Sequence, residues 1–167
     1  MLFKPEIKLE RVTDISLNIL KKYKIEALIL DVDNTLSTHH GQVLIDGLSD
    51  WLKLMQENGI KLIVLSNSKE ERVKPFAENI KLDYISLGLK PLPFGYIRAL
   101  KNLGTKRKVT AIVGDQIFTD VLGGRLVGVR TVLLTPIQLE TTVGFKFKRK
   151  IERLIYKLYK IKNTEEA

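Results

Sequence analysis

The sequence predicts a three-layer α/β domain, in which a mainly parallel sheet of about five strands carries helices on both faces. Three observations predict it. Short apolar runs alternate along the chain with amphipathic stretches of helical spacing. The runs are uniformly apolar, as strands covered on both faces must be. The chain has 167 residues, 44% of them hydrophobic, which suits one domain with a full core.

Asp14 to Tyr23 reads as a first helix, with Ile15, Leu17, Ile19 and Leu20 as its apolar positions. Glu26 to Leu30 reads as a buried strand. Leu48, Trp51, Leu52 and Met55 fall at helical spacing, with Gly59 as the stop. Lys61 to Leu65 is a second buried strand. Ser68 with Glu71 three residues on has the form of a capping box, and Pro75 implies a kink in that helix or a shifted start. Tyr84 to Ser86 is a short third strand, and Phe94 to Leu103 is a helix between Pro93 and Gly104. Val109 to Val113 is a fourth strand, Asp120 to Leu126 a short helix ending near Gly128, and Thr131 to Leu134 a fifth strand. Residues 1–145 form the core in this reading, and 146–167 a basic amphipathic helix and tail.

In parallel sheets of this kind, ligands bind beyond the carboxyl ends of the strands. Polar residues collect at those ends. Asp31 and Asp33 follow the first strand, Ser66 and Asn67 the second, Lys90 the third within a few residues, and Asp115 and Asp120 the fourth. One sheet edge would bring them together.

The residue types suit phosphoryl transfer. That chemistry needs a nucleophile, charge neutralisation on the transferring oxygens and a proton for the leaving group. Asp31 can attack phosphorus, and Asp33 can protonate the leaving alkoxide and then activate water. Asp115 can complete a Mg²⁺ site with Asp31, since hard oxygen ligands suit that ion. Ser66 can donate a hydrogen bond to a phosphoryl oxygen, and Lys90 can place a positive charge beside it.

The runs Asp31-Val32-Asp33-Asn34-Thr35-Leu36, Leu65-Ser66-Asn67, Lys90-Pro91 and Gly114-Asp115-Gln116-Ile117-Phe118-Thr119-Asp120 resemble the four ordered motifs of the haloacid dehalogenase (HAD) phosphatases. The resemblance spans about 90 residues, with each motif behind the expected kind of strand. It implies a Rossmann-like sheet, Asp31 as nucleophile forming an aspartyl-phosphate, and Asp33 as acid/base. It further implies a phosphate held by Ser66, Asn67 and Lys90. Mg²⁺ would be bound by Asp31, the backbone carbonyl of Asp33 and Asp115, with Asp120 supporting the metal shell.

The stretches from Leu36 to Lys61 and from Lys90 to Asp115 hold about one helix each, too little for a large cap domain. An open site is expected, suited to a bulky or membrane-held substrate. The chain as a whole is similar to the YqeG-type group of HAD subfamily IIIA. That group is related to phosphatidylglycerophosphate phosphatases of mitochondria and plastids. This finer resemblance implies phosphatidylglycerophosphate as substrate. Two other functions stay open: a phosphatase for a soluble sugar phosphate, nucleotide or phosphoprotein, and a nucleic-acid- or ribosome-associated binding module on a HAD scaffold.

Charge bears on that choice. The formal net charge is +9, and Lys146 to Lys162 supply +7 of it, with eight Lys/Arg against Glu152 alone. Phe147, Ile151, Leu154, Ile155, Leu158 and Ile161 form an apolar stripe in that tail, with Tyr156 and Tyr159 at its boundary. Such a helix can lie on an anionic membrane, pack on its own domain or on a second subunit, or meet nucleic acid. No aromatic RNA-binding motif accompanies it.

The chain has no cysteine, which excludes disulfides, zinc thiolate sites and cysteine nucleophiles. No apolar run approaches the roughly 20 residues of a membrane span, and Met1 to Lys24 lacks a signal-peptide core. A cytoplasmic protein is expected, peripheral on the inner face of a membrane if the tail binds lipid. His39 and His40 are adjacent and have no further histidine to join them, so they read as flap residues rather than metal ligands.

Overall fold

A computed structural model describes residues 1–38, 42–138 and 143–164, without the side chains of 143–149. The expected flap residues His39 and His40 lie outside the described residues.

The chain forms one parallel six-stranded sheet. In chain order its elements are β1 (Ile7–Leu9), α1 (Leu17–Lys22), β2 (Ala27–Leu30), α2 (Leu48–Glu57), β3 (Lys61–Leu65) and α3 (Glu70–Asn79). There follow β4 (Tyr84–Ile85), α4 (Pro93–Leu103), β5 (Thr110–Gly114), α5 (Leu122–Val127), β6 (Arg130–Leu134) and α6 (Val143–Leu158). The spatial strand order is β1-β6-β5-β2-β3-β4. β2 sits between β3 and β5 in register, with Leu30 beside Val64 and Val113. That puts the end of β2 near the middle of the carboxyl edge.

The central strands are buried on both faces, as their uniform apolarity requires. Leu28 and Leu30 face one core with Trp51, Met55 and Phe76. Ile29, with Ile63, Leu65 and Ile112, faces a second core under Tyr96 and Leu100 of α4. Each such aliphatic side chain contributes about 1.5–3 kcal/mol of transfer free energy.

Three expectations need correction. The sheet has a sixth strand, β1, on the edge beside β6. Its centre is Lys8, whose stem is buried while its ammonium donates to the Leu9 carbonyl (2.8 Å) and Thr135 Oγ1 (2.6 Å). A lysine inside a three-residue strand hides the apolar signal. The helix expected from Asp14 begins instead at Leu17, because Ser16 caps it by accepting from the Ile19 N–H. A 3-10 turn, Val12–Asp14, precedes it, and the Ile15 carbonyl is taken by Trp51 Nε1 at 2.9 Å. Nor does Ser68 cap α3: Lys69 is the N-cap, without a side-chain bond, and Ser68 is engaged elsewhere. Pro75 lies inside α3.

Among the described residues no domain is inserted between β2 and β3 or between β4 and β5. α6 lies against the body through Ile155, which packs with Ile117, Val121 and Leu133. Beyond it the chain returns to cover the β1 edge, where Thr164 N–H donates to the Lys8 carbonyl at 2.7 Å. No helix among the described residues is long and apolar enough to cross a membrane.

Candidate active site

The backbone at the end of β2 explains why Asp31 and Asp33 face different ways. Asp31 N–H still donates to the Val113 carbonyl, so Asp31 stays in the ladder and is buried. The chain then curls: the N–H groups of Thr35, Leu36 and Ser37 all donate to the Val32 carbonyl. Asn34 takes a left-handed conformation (φ 56°), which asparagine tolerates better than most residues. Its Oδ1 accepts from the Gln138 N–H at 3.0 Å, tying the loop to the chain beyond β6.

Asp33 points to the rim and pairs with the Arg72 guanidinium, half-buried on α3. Arg72 also donates to Ser68 Oγ at 2.9 Å. This arginine was missed in the sequence reading. Its only signal there was the Ser68–Arg72 spacing of one helical turn, obscured by assigning Ser68 to a cap.

Lys90 is drawn inward by a brace. Asn67 Oδ1 accepts from the Lys90 N–H (2.7 Å), and Asn67 Nδ2 donates to the Lys90 carbonyl (3.0 Å). The expected phosphate-binding amide thus positions the lysine. The Lys90 ammonium donates to Asp31 Oδ1 and to Asp120 Oδ1, each at 2.7 Å, with all three side chains buried. Ser66 is buried at the end of β3, and its Oγ accepts from the Ser68 N–H at 3.1 Å.

Asp115 directly follows β5, and a π-helical turn, Ile117–Val121, then swings Asp120 back toward it. Asp120 Oδ2 accepts from the Gln116 N–H at 3.1 Å. Gly114 permits this return, because a Cβ there would stand 2.2 Å from Asp120 Oδ2. The turn has two outside supports. Tyr96 OH donates to the Thr119 carbonyl (2.7 Å), and Glu152 Oε1 accepts from the Ile117 N–H (3.0 Å). Glu152, the lone acid between Lys146 and Lys162, is 3% exposed. Nothing in the sequence marked it as part of the site's support.

Asp31, Asp115 and Asp120 each offer a carboxylate oxygen, and these lie within 4.8 Å of one another. Three buried carboxylates facing one ammonium leave negative charge that a divalent cation would neutralise, and an all-oxygen set fits a hard ion. The Asp33 carboxylate is not in the cluster. The electrostatics agree. Burial pushes the Asp31 carboxyl up to about 7, against the pull of Lys90 and with a further push from Asp120. Burial works against the Lys90 charge, but Asp120 and Asp31 outweigh it and hold the ammonium above its ordinary range. Burial, then Asp120, raises the Tyr96 hydroxyl, which stays a neutral donor.

The three carboxylates are buried at the carboxyl edge of the sheet. A cavity of about 440 Å³ beside them has Asn34, Thr35, Arg11 and Thr135 in its wall but not Asp31, Asp33 or Lys90.

Residues 20–128 match the model of the haloacid dehalogenase-like hydrolase family. The chain is 33% identical over 160 residues to the probable phosphatase YqeG of Bacillus subtilis, covering 96% of this chain and 93% of that protein. A putative HAD superfamily (subfamily III A) hydrolase from Legionella pneumophila superposes with a TM-score of 0.50 at 23% identity, over 84% of this chain and 87% of that one. A 4-nitrophenylphosphatase from Thermotoga maritima does so with a TM-score of 0.59 at 14% identity, over 72% and 89%. At these identities the two structures speak to the fold alone.

Proposed function

The chain belongs to the haloacid dehalogenase-like hydrolases and is a phosphatase, and from that premise we propose that it hydrolyses a lipid-borne phosphomonoester, phosphatidylglycerophosphate, with Mg²⁺. The observation that carries the chemistry is the buried Lys90 ammonium, 2.7 Å from both Asp31 and Asp120. A carboxylate nucleophile beside a fixed cation, at the end of a central strand, is what attack on a phosphoryl group requires.

A magnesium ion held by Asp31, Asp115, Asp120 and the Asp33 carbonyl would neutralise charge on the transferring oxygens. Asp31 attacks phosphorus through one carboxylate oxygen. The bond to the leaving oxygen breaks, and Asp33 gives that oxygen its proton. An aspartyl-phosphate remains on Asp31. Asp33 then takes a proton from water, whose oxygen attacks phosphorus, frees phosphate and restores Asp31. Lys90 stays charged throughout and offsets the developing negative charge. Ser66 donates to a phosphoryl oxygen, Asn67 keeps Lys90 aimed inward, and Arg72 fixes Asp33 at the mouth.

Three observations support the lipid. The uncapped edge admits a phosphate still anchored in a surface. The net charge is +9. The helix α6 leaves Ile151, Leu154 and Leu158 exposed beside exposed Arg153, Lys157 and Lys160, which suits peripheral contact with an anionic membrane.

The test is a substrate panel with wild type and Asp31→Asn, each with and without Mg²⁺, including phosphatidylglycerophosphate in anionic vesicles. The proposal expects Mg²⁺-dependent turnover that is highest on the lipid and lost in Asp31→Asn. Equal turnover of soluble esters with no gain from lipid would remove the lipid substrate. Absence of turnover of every phosphoester would remove the catalytic assignment.

A further inference from the structure

The loop that delivers Lys90 also carries apolar side chains that the fold does not use. Leu87, Leu89, Leu92, Phe94 and Ile97 are 55, 55, 51, 61 and 47% exposed. Two of them are also costly in backbone terms. Leu87 and Leu89 have φ of 46° and 54°, where a leucine is disfavoured and an asparagine or glycine fits.

The conformation is enforced from both ends. Leu87 N–H donates to the Ser68 carbonyl at 2.9 Å, Gly88 N–H to the Ser66 carbonyl at 2.8 Å, and Leu92 N–H to the Leu89 carbonyl at 2.8 Å. Gly95 lets α4 close on the loop, since a Cβ there would stand 2.4 Å from the Gly88 carbonyl oxygen. Together with the Asn67 brace, these contacts hold Lys90 inward and the leucines outward. The leucines are strained and exposed at once, so their use must lie outside the chain.

Charge says what that use is. From Ser86 to Gly114 there is no Asp or Glu; of the six Lys/Arg, Lys90 is buried in the site and Lys106, Arg107 and Lys108 lie beyond the far end of α4, which leaves Arg98 and Lys101 as the basic flank. Arg98 and Lys101 are exposed on α4, within two turns of Phe94. α6 lies on the same face of the sheet. Leu133, which packs with Ile155 of α6, shares its strand face with Thr131, whose methyl group meets Gly124 of α5. α5 in turn packs on α4.

We propose that the leucine loop 87–92 and the first turns of α4 form a docking surface for a bilayer containing anionic lipid. Such a partner is apolar within and negative at its surface, matching the apolar tip and basic flank. The inference rests on the lipid-phosphate reading above and deepens it, because docking here would set the bilayer against the rim where Lys90 turns inward.

The experiment is co-sedimentation with sucrose-loaded vesicles of phosphatidylcholine alone and of phosphatidylcholine mixed with phosphatidylglycerol. It compares wild type, the double variant Leu87→Asn/Leu89→Asn and the double variant Phe94→Gln/Ile97→Gln. Asparagine accepts the left-handed backbone, so the first variant removes the apolar surface without straining the fold. Wild type should bind the mixed vesicles, and each double variant should bind them about tenfold or more weakly. The thermal midpoint should hold in both variants, and turnover of p-nitrophenyl phosphate should hold in Phe94→Gln/Ile97→Gln. If Leu87→Asn/Leu89→Asn does not fold, the helix variant decides. Failure of wild type to bind mixed vesicles overturns the proposal. So does binding by the variants as tight as wild type, which would assign any vesicle contact to α6 and leave the loop to a protein partner. Binding is read without chemistry: vesicle binding with no lipid hydrolysis supports the docking surface and removes the lipid substrate, whereas p-nitrophenyl phosphate turnover with no vesicle binding does the reverse for docking and leaves the phosphatase.

Discussion

Replacing Lys90 by methionine would keep most of the side-chain volume and remove the charge that the site is built around. The Lys90 side chain is 3% exposed, and its ammonium lies 2.7 Å from both Asp31 and Asp120. Without it, Asp31, Asp115 and Asp120 face one another in a buried cluster. Removing one partner of a buried ion pair typically costs about 3–5 kcal/mol. Protonation limits the cost here. The folded state already raises Asp31 from 3.8 to about 7, so the fold holds that proton more tightly than the unfolded chain does. Stability from this group is fully present below the unfolded value and is lost as pH rises through about 7. Without Lys90 the carboxyl should rise further. The loss should therefore be near 3 kcal/mol or more at pH 8, roughly, and smaller at pH 5.5. Urea unfolding in EDTA at the two pH values reads it directly. With an m-value of about 2 kcal/mol/M, the midpoint should fall by about 1.5 M at the higher pH. Millimolar Mg²⁺ should restore part of that stability by neutralising the same carboxylates. A midpoint shift below about 0.5 M, equal at both pH values, would refute the view that Lys90 balances buried negative charge.

Three further outcomes are expected. Mg²⁺ must displace the proton that burial places on Asp31, so Mg²⁺ affinity should rise about tenfold per pH unit up to about 7 and then level off. Titration calorimetry in two buffers should show proton release below that pH and little above it. Arg72→Ala frees Asp33 from its rim partner and should lower kcat by roughly 10- to 100-fold through lost positioning. Because that pair is partly solvated, the unfolding free energy should change by less than about 1 kcal/mol. Glu152→Ala strands the buried Ile117 N–H and should cost about 1–3 kcal/mol. Glu152→Gln keeps a carbonyl acceptor and should cost less, with hydrogen exchange at the Ile117 amide separating the two variants.

The α/β class and the edge that carries the site were legible because they depend on local pattern. Ala27 to Leu30 is uniformly apolar, so it is a strand covered on both sides, and the acids that follow it must lie at a carboxyl end. The same holds for Asp115 after Val113. Local signals misled where a side chain has two uses. Ser68 and Glu71 have the spacing of a capping box, yet the Ser68 hydroxyl is taken by Arg72 and its own amide by Ser66. Lys8 breaks the apolar pattern of β1, yet its stem completes the edge strand while its head finds two acceptors.

For the Asp31 run, the sequence alone determined which atoms can do chemistry and that they gather on one edge, because strand ends and residue types are local properties. It also determined that the stretches from Leu36 to Lys61 and from Lys90 to Asp115 are too short for a large cap domain. Only the tertiary structure decided how those atoms are balanced: Lys90 between two carboxylates, Arg72 against Asp33, and Glu152 brought 35 residues back to hold the turn after Asp115. Those partners meet across separate crossovers, and no spacing along the chain encodes a contact that arises when helices from distant segments pack on one sheet.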